Sequence, residues 1–332
     1  MISDEALKQF AENFRIACIA VQKAVEENEK FGIYDTSIKE NSLRHIPVLS
    51  VTETSLAMAY EKALLELNKK GLLIKTQYDK EGFPASLDST MNITVIDPLS
   101  EPVIHKAFPG GIEDLREYVM ELLGAKDHWV KNMDDPKDTR WEYTYHGRLE
   151  KYGTLKGDAG QKGPFEINQI ERIIEKLAKQ PFTRQAQMIT WMPNVDLDCF
   201  DPPCLQSLWY RIIEDDEGTG WLNCNIRFRS NDAWNASFMN MFGFIMFNKE
   251  IIAKGVEDLM GKPIKLGRLN WQADSYHIYG KDIESAKAML FDRVDSMSLE
   301  ERTFNFSDDF IQEMYNDAEN MIKQKISRYD NS

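Results

Sequence analysis

The chain has 332 residues, 42% of them hydrophobic and 28% charged, with a formal net charge of −14. This composition fits a soluble protein of one large domain or two small ones, and its acidity argues against a surface that coats nucleic acid. No apolar run approaches the roughly 20 residues of a membrane helix, and the N-terminus lacks the basic-then-apolar pattern of a secretory signal.

The four cysteines, Cys18, Cys199, Cys204 and Cys224, show no Cys-x-x-Cys spacing. We therefore expect no disulfide framework and no zinc or other metal site. A reducing, cytoplasmic setting is the default for such a chain.

Hydrophobic periodicity predicts both helices and strands in the first third of the chain. Apolar side chains at helical spacing predict a packing or oligomerisation helix over residues 3–31, and the polar stretch 32–45 is typical of a linker. Residues 85–90 are expected to form a loop. The other predicted elements are strands at 46–51, 72–76 and 91–96, and a helix at 54–70 closed by Gly71.

The middle of the chain carries a helix and an aromatic-rich segment. The helix predicted over residues 113–123 has one apolar face, and Glu121 falls beside that face, where a carboxylate is costly without a partner. A glutamate at the helix edge in solvent is the plain alternative. Residues 127–149 are dense in aromatics, which usually belong to a core. Residues 151–164 contain four glycines but lack the strand-then-helix context of a phosphate loop.

The second half alternates strands with amphipathic or apolar helices. Asn240 stands out in an apolar helix, where an amide needs hydrogen bonds from the protein or a ligand. Arg227 and Arg229 share one face of a strictly alternating strand. The predicted strands are 188–191, 221–229 and 269–279, and the predicted helices are 167–178, 234–247, 282–290 and 307–328.

Cys204 follows two prolines, Pro202 and Pro203, on a stiff backbone, because each proline fixes its own φ and restricts the residue before it. A lone cysteine is usually a buried structural residue. Arginines downstream, however, supply the cationic neighbours that lower a thiol pKa. Cys204 is therefore the candidate nucleophile, and Cys199 and Cys224 are interpreted as structural.

Five motifs stand in order along the chain: Asn168-Gln169-Ile170, Thr183-Arg184-Gln185-Ala186, Pro-Pro-Cys at 202–204, Arg-Ser-x-Asp at 229–232 with Asn240 eleven residues after its arginine, and His-x-Tyr at 277–279. This order resembles the thymidylate synthase superfamily, the folate-dependent thymidylate synthases and pyrimidine-nucleotide hydroxymethylases. The resemblance covers about Glu113 to Asp282. It implies an α+β fold, a large mixed, bent β-sheet flanked by helices, with sheet-to-sheet packing in a homodimer. We assign residues 1–45 to an N-terminal helical extension and 46–332 to the catalytic domain.

The resemblance implies covalent chemistry on a pyrimidine nucleotide such as dUMP. Addition of the Cys204 thiolate to C6 makes C5 nucleophilic toward a one-carbon unit from 5,10-methylenetetrahydrofolate. Arg229 would bind the substrate phosphate, as would Arg184 from the other subunit. Ser230 would also contact the phosphate. Asn240 would recognise the base, since its amide can accept from N3–H and donate to O4 of uracil.

Further roles come from the same resemblance. Glu121 would organise water near the pyrimidine, and Tyr145 would lie near C5, with Tyr143 the second choice. Asp232 matches a catalytic aspartate that contacts the pterin, and Trp141 falls among the tryptophans that lie against the folate ring.

His277 and Tyr279 complete the set of site residues. Standing two apart on a predicted strand, they would point to one side and bond the sugar hydroxyl. A histidine outside such a motif would more often be a satisfied core residue. Whether the sugar is ribose or deoxyribose stays open.

Departures from the family pattern bear on the product. Residues 85–90 hold no phosphate-binding arginine and Gln185 replaces the second arginine, which favours a relative that binds nucleotide without turnover. Leu205 replaces a common histidine, which bears on the product. The segment 327–332 is polar, unlike the apolar lid of thymidylate synthases, and water exclusion decides between hydride and water in the last step. We therefore expect dUMP hydroxymethylation. The alternatives are thymidylate synthase, CMP or dCMP hydroxymethylase, and a non-catalytic nucleotide-binding relative.

Overall fold

The structure, a computed structural model, describes residues 45–130, 137, 140–153 and 166–329. The helix predicted over residues 3–31 and nearly all of the linker lie outside these ranges, as does most of the glycine-rich stretch 151–164. The domain boundary at residue 45 therefore stays a prediction. From Pro47 onward the described residues form one compact unit.

Strands and helices are interspersed along the described chain. The strands are β1 (Val48–Glu53), β2 (Leu72–Ile74), β3 (Ser86–Val95), β4 (Ile104–His105), β5 (Ala186–Ile189), β6 (Leu205–Glu214), β7 (Gly220–Phe228), β8 (Asn231–Asp232), β9 (Ile264–Ile278) and β10 (Thr303–Phe304). The α-helices are α1 (Leu56–Lys70), α2 (Ile112–Leu122), α3 (Tyr145–Glu150), α4 (Gln169–Lys179), α5 (Pro193–Asp196), α6 (Ser237–Phe247), α7 (Lys254–Met260), α8 (Ile283–Ala286), α9 (Leu299–Arg302) and α10 (Asp309–Tyr329). None of the helices within these ranges is long and apolar enough to cross a membrane.

The main sheet has eight strands. Its order is β1-β3-β9-β7-β6-β5, with β2 added to β3 and β8 added to β9. The β1–β3, β7–β9 and β8–β9 pairs are parallel and the others antiparallel, so the sheet is mixed. Helix α1 packs on β1 and β3, α4 on β5, and α2 on α6 and α10. The expected α+β fold with a large mixed sheet flanked by helices is therefore confirmed.

A β-bulge interrupts the pairing of β3 with β9. Ser89 lies opposite Tyr276 and Met91 opposite Ala273, so β9 has one residue more than β3 across this interval. Beyond the bulge, Asp88 lies directly opposite His277. An extra residue resets the alternation of side chains between the two faces.

Two parts of the sheet were predicted wrongly. Residues 85–90 are not a loop, because β3 already begins at Ser86. Its first residues are polar, yet Ser86, Asp88 and Ser89 are all buried, so the alternation that marks a half-exposed strand is missing. The strand β6, directly after Cys204, was not predicted.

A buried ion pair links α1 to the small β4–β10 sheet. The Glu61 carboxylate accepts from Arg302 Nε at 2.5 Å and Nη2 at 3.2 Å, and lies 3.0 Å from His105 Nε2. His105 Nδ1 accepts from the Ala107 amide at 3.1 Å. Because Nδ1 accepts there, Nε2 carries the proton and donates to Glu61.

Candidate functional site

Cys204 sits between the two prolines and the start of β6, and Arg229 follows the end of β7. The Arg229 amide donates to the Cys204 carbonyl at 2.8 Å. Its guanidinium donates from Nε to the Pro203 carbonyl at 3.1 Å and from Nη2 to the Pro202 carbonyl at 2.5 Å. Arg229 therefore holds the backbone that carries the thiol. Its Nη1 makes no hydrogen bond within the described part of the chain and can still bind an anion.

The Cys204 thiol is half-buried, and burial raises its pKa. The Arg229 charge acts in the opposite direction and lowers the pKa, while the Asp201 carboxylate raises it further. A bound anion facing Arg229 would change this balance. The thiolate is thus favoured only through its arginine neighbour.

Asn240, on α6, is buried and lies in a row of four hydrogen-bonded side chains. Its Oδ1 accepts from Asn231 Nδ2 at 2.9 Å, and its Nδ2 donates to the Tyr118 hydroxyl at 2.7 Å. Asn231 Oδ1 in turn accepts from Trp271 Nε1 at 3.1 Å. Both polar ends of the Asn240 amide are therefore already engaged, through residues on α2, β8 and β9.

His277, near the end of β9, has one ring nitrogen with a partner and one without. Its Nδ1 lies 3.2 Å from Ser275 Oγ, which donates to Asp88 Oδ2 at 2.8 Å. His277 Nε2 and Asp88 Oδ1 are buried with no hydrogen-bond partner among the described residues. Buried polar atoms are rarely left unpaired, so both are available to a bound hydroxyl. Burial raises the pKa of Asp88, against the opposing effects of Ser275 and His277.

Tyr279, just after β9, packs on His277 with ring centroids 4.7 Å apart. Burial is the main cause that raises its pKa to about 12, and Asp232 and Cys204 add to the shift. Tyr279, His277 and Cys204 therefore share one region. Asp232 accepts from the Asn235 amide and side chain, each at 2.9 Å, so it stabilises the turn before α6. This turn explains why α6 begins at Ser237 rather than at 234.

Glu121 ends α2 on the side of Tyr118. Burial raises the pKa of Glu121, against the lowering effect of Lys126, whose Nζ lies 3.7 Å away. Burial raises the Tyr118 pKa, and Glu121 and Cys204 add to the shift. A carboxyl with a raised pKa can hold a proton for transfer.

Tyr145 and Tyr143 lie side by side, with ring centroids 5.8 Å apart. Burial raises both pKa values, and the proximity of Cys204 contributes to each. Tyr145 also packs against Phe228 at the end of β7. Both tyrosines thus remain candidates for the position near C5.

Trp141 is 42% exposed and lies 6.2 Å, ring centroid to ring centroid, from Trp129. The Lys126 ammonium stands over both rings, at 5.2 Å from the Trp129 centroid and 5.3 Å from that of Trp141. Two indoles beside a cation offer stacking surface for a flat heteroaromatic ring such as a pterin.

Arg184 and Ser230 are not brought into this network. The Arg184 side chain is exposed and makes no hydrogen bond or ion pair within the described ranges. Ser230 is half-buried between Arg229 and Asn231. Within one chain, Arg229 is the predicted phosphate ligand that the structure places beside Cys204.

Among the described residues, Asp127, His146 and Glu150 could hold a metal ion, with ligand atoms within 4.8 Å of one another. Asp127 already accepts from Thr144 Oγ1 at 2.5 Å and contacts His146 Nδ1 at 2.7 Å. Thr144 in turn caps α3. We interpret the group as the support of this helix start.

Sequence reasoning missed several residues of the site, namely Tyr118, Asn231, Trp271, Asp88 and Ser275. Tyr118 on a helix and Trp271 on a strand look like ordinary core residues. Asn231 occupies the unspecified position of Arg-Ser-x-Asp, so the motif assigned it no role. Asp88 lay in the segment taken for a loop.

Comparisons with known proteins give a consistent result. The family model described as thymidylate synthase matches residues 114–327. A protein of Methanocaldococcus jannaschii called "Putative thymidylate synthase" is 31% identical over 237 residues, 70% of this chain and 91% of that protein. Proteins with the same description from Methanococcoides burtonii and Methanosarcina barkeri are 25% and 27% identical, over 53% and 57% of this chain and 79% and 72% of their own lengths. The chain therefore belongs to the thymidylate synthase family, a family of one-carbon transferases.

Proposed function

We propose that the protein transfers a one-carbon unit from 5,10-methylenetetrahydrofolate to C5 of dUMP, with the hydroxymethyl nucleotide as product. The observation that carries this proposal is the arrangement at Cys204. A half-buried thiol is held by Arg229, whose Nη1 remains available for an anion. Around it lie an amide that can recognise a base and the unpaired His277 Nε2.

The proposed chemistry begins with the thiolate. Arg229 opposes the burial that raises the Cys204 pKa, so the thiolate forms beside the arginine and adds to C6 of the pyrimidine. Asn240 would hold the base, and Arg229 the phosphate. His277 Nε2 and the Tyr279 hydroxyl would hold the sugar.

Trp141, Trp129 and Asp232 fit the folate, because exposed indole surface and a carboxylate suit a pterin ring. Methylenetetrahydrofolate, when bound, supplies the one-carbon unit and, for a methyl product, also the hydride. Glu121, with its raised pKa, can take up and return protons near the pyrimidine and can activate a water molecule.

The packing of α10 supports the hydroxymethyl product. Four apolar side chains of α10 are buried in packing, namely Ile311, Tyr315, Ala318 and Ile322. Ala318 and Ile322 cluster with Met120 of α2, and Tyr315 packs against Phe242. These side chains are thus committed to α2 and α6. Thymidylate synthase activity is the second candidate, favoured by the descriptions of the relatives above.

Product analysis tests the proposal. The protein is incubated with dUMP and methylenetetrahydrofolate, and the nucleotide mass and the folate absorbance are measured together. A hydroxymethyl mass with tetrahydrofolate supports the proposal, whereas a methyl mass with dihydrofolate identifies a thymidylate synthase. If neither forms, dCMP and CMP are tested next. A Cys204→Ala variant is the control, and it should bind nucleotide without forming product.

A homodimer would bring Arg184 into the neighbouring site, consistent with its exposed side chain. Mixing tests this arrangement. Arg184→Ala and Cys204→Ala variants, each inactive alone, should recover part of the activity when co-expressed, because the mixed dimer then has one complete site. Recovery requires a dimer, which light scattering measures independently.

A further inference from the structure

The four side chains around Asn240 form a row with a defined direction. The indole Nε1–H of Trp271 can only donate, so the Asn231 atom that faces it, 3.1 Å away, must be the amide oxygen. The Asn231 amide nitrogen consequently faces Asn240. Because that nitrogen donates over 2.9 Å, the Asn240 atom that receives it must be the oxygen. The Asn240 nitrogen is then left to donate to the Tyr118 hydroxyl, at 2.7 Å.

The Trp271 indole, which begins this row, cannot turn. The Trp271 ring is fully buried and stacks on Phe228, with centroids 4.4 Å apart and planes inclined by 26°. Asn231 and Asn240 are 3% and 7% exposed, so water cannot replace the lost bonds if either amide flips. A flip of one amide would place two donors or two acceptors against each other, which is costly for buried groups.

We propose that Trp271 and Asn231 are positioning residues for base specificity: they fix the Asn240 amide so that its nitrogen points to the Tyr118 side and its oxygen to Asn231. The Tyr118 hydroxyl, which accepts from Asn240, has its own hydrogen free to donate. The pair thus offers a hydrogen-bond donor toward the C4 substituent of a pyrimidine. The second lone pair of the Asn240 oxygen can accept from N3–H.

This pattern matches a 4-oxo pyrimidine such as uracil. Cytosine has an amino group at C4 and an unprotonated N3, so it presents the opposite pattern and would need the Asn240 amide reversed. The indole of Trp271 opposes that reversal through Asn231, which lies between Trp271 and Asn240 in the row. The inference rests on the proposed function, in which Asn240 contacts the base.

Binding of dUMP and dCMP to the full chain, measured by titration calorimetry without folate, tests the proposal. Trp271→Phe removes the indole N–H and keeps a ring against Phe228. It should lower the ratio of dUMP to dCMP affinity by about tenfold or more, because the amides are then free to turn. Trp234→Phe is the matched control, since Trp234 is equally buried and its indole lies outside the row; it should leave the ratio unchanged.

Asn231→Asp gives a sharper test. The introduced carboxylate still accepts from Trp271 but cannot donate to Asn240. Asn240 must then turn its nitrogen toward the carboxylate and its oxygen toward Tyr118, which reverses the pattern offered to the base, so the preference should shift to dCMP. If Asn231 had only a structural role, the substitution would weaken the binding of dUMP and of dCMP equally.

The outcomes separate the two proposals. If the wild type binds neither nucleotide, the proposed function fails, and this inference fails with it. Thermal unfolding shows whether each variant is folded. If the wild type prefers dUMP and both folded variants keep the wild-type ratio of dUMP to dCMP affinity, the inference alone is wrong. A wild-type preference for dCMP would also overturn it. Where one variant does not fold, the other decides.

Discussion

Replacing Glu61 with glutamine should destabilise the protein strongly, although Glu61 lies outside the candidate site. The substitution keeps the shape of the side chain and removes its charge. The Glu61 carboxylate is almost fully buried and binds Arg302 through two contacts, at 2.5 and 3.2 Å, as well as His105 at 3.0 Å. Without the carboxylate, the Arg302 guanidinium loses its counter-charge.

The size of the effect follows from burial. Breaking a buried ion pair by removing one partner costs about 3–5 kcal/mol. The Arg302 side chain is 18% exposed and keeps its 2.5 Å bond to the Met297 carbonyl, so we expect the lower end, about 3 kcal/mol. At about 2.1 cal/mol/K of unfolding entropy per residue, the melting temperature of a chain of this size should fall by about 4–5 °C.

The same helix provides a matched control. Glu66 pairs with Lys70 on the surface of α1, where both side chains are 26% exposed. A Glu66→Gln variant should lose at most about 0.5 kcal/mol, because exposed pairs contribute little. Urea unfolding followed by circular dichroism measures both variants under identical conditions.

The pH dependence adds a second readout. Burial alone would raise the Glu61 pKa, but the bonds from His105 and Arg302 outweigh it and lower the pKa below the ordinary value. The stabilisation is therefore complete above the pKa of an unfolded glutamate and is lost as the pH falls through the lowered value. The gap between wild type and Glu61→Gln should narrow in acid. Equal losses for the Glu61 and Glu66 variants at neutral pH would refute the reasoning.

Three further outcomes concern the candidate site. In an Asp201→Asn variant, the pH profile of Cys204 alkylation by iodoacetamide should move to lower pH. A carboxylate that raises the thiol pKa is then gone, but it was exposed and screened; an upward shift would contradict this. His277→Ala should weaken dUMP binding about tenfold and 2′,3′-dideoxyuridine monophosphate much less, if Nε2 binds the sugar hydroxyl; calorimetry with equal losses would exclude that contact. Gly243→Ala should cost about 1–3 kcal/mol in urea unfolding, since its Cβ would lie 2.5 Å from Tyr118 Cδ1, and an unchanged midpoint would mean that the ring moves freely.

Residues in motifs were open to prediction because their chemistry is local. Cys204 after two prolines and Arg229 in Arg-Ser-x-Asp are recognisable within a few positions, and the structure ties them together by a hydrogen bond. Asn240 stands out as a single amide in an apolar helix. For such residues, side-chain type and spacing carry most of the information.

Contacts between distant elements were not predictable in the same way. Asn231 and Trp271 are 40 positions apart and meet through the pairing of β8 with β9. No periodicity in the sequence encodes that pairing. Asp88 was missed for another reason, since a strand buried on both sides and rich in polar residues has the composition of a loop.

The bulge in β9 determines what this strand can tolerate in evolution or engineering. Trp271 lies opposite Ile93 and His277 opposite Asp88, five positions apart on the uninterrupted β3, so the two side chains point to opposite faces of the sheet. In a regular strand, two residues six positions apart point to the same face, so the extra residue is what separates His277 from Trp271. Straightening the bulge at constant length would turn His277 to the face that Trp271 occupies, whereas deleting the extra residue would keep both pairings with β3. Homologues that keep these two side chains on opposite faces should therefore have either this bulge or a strand one residue shorter at this point.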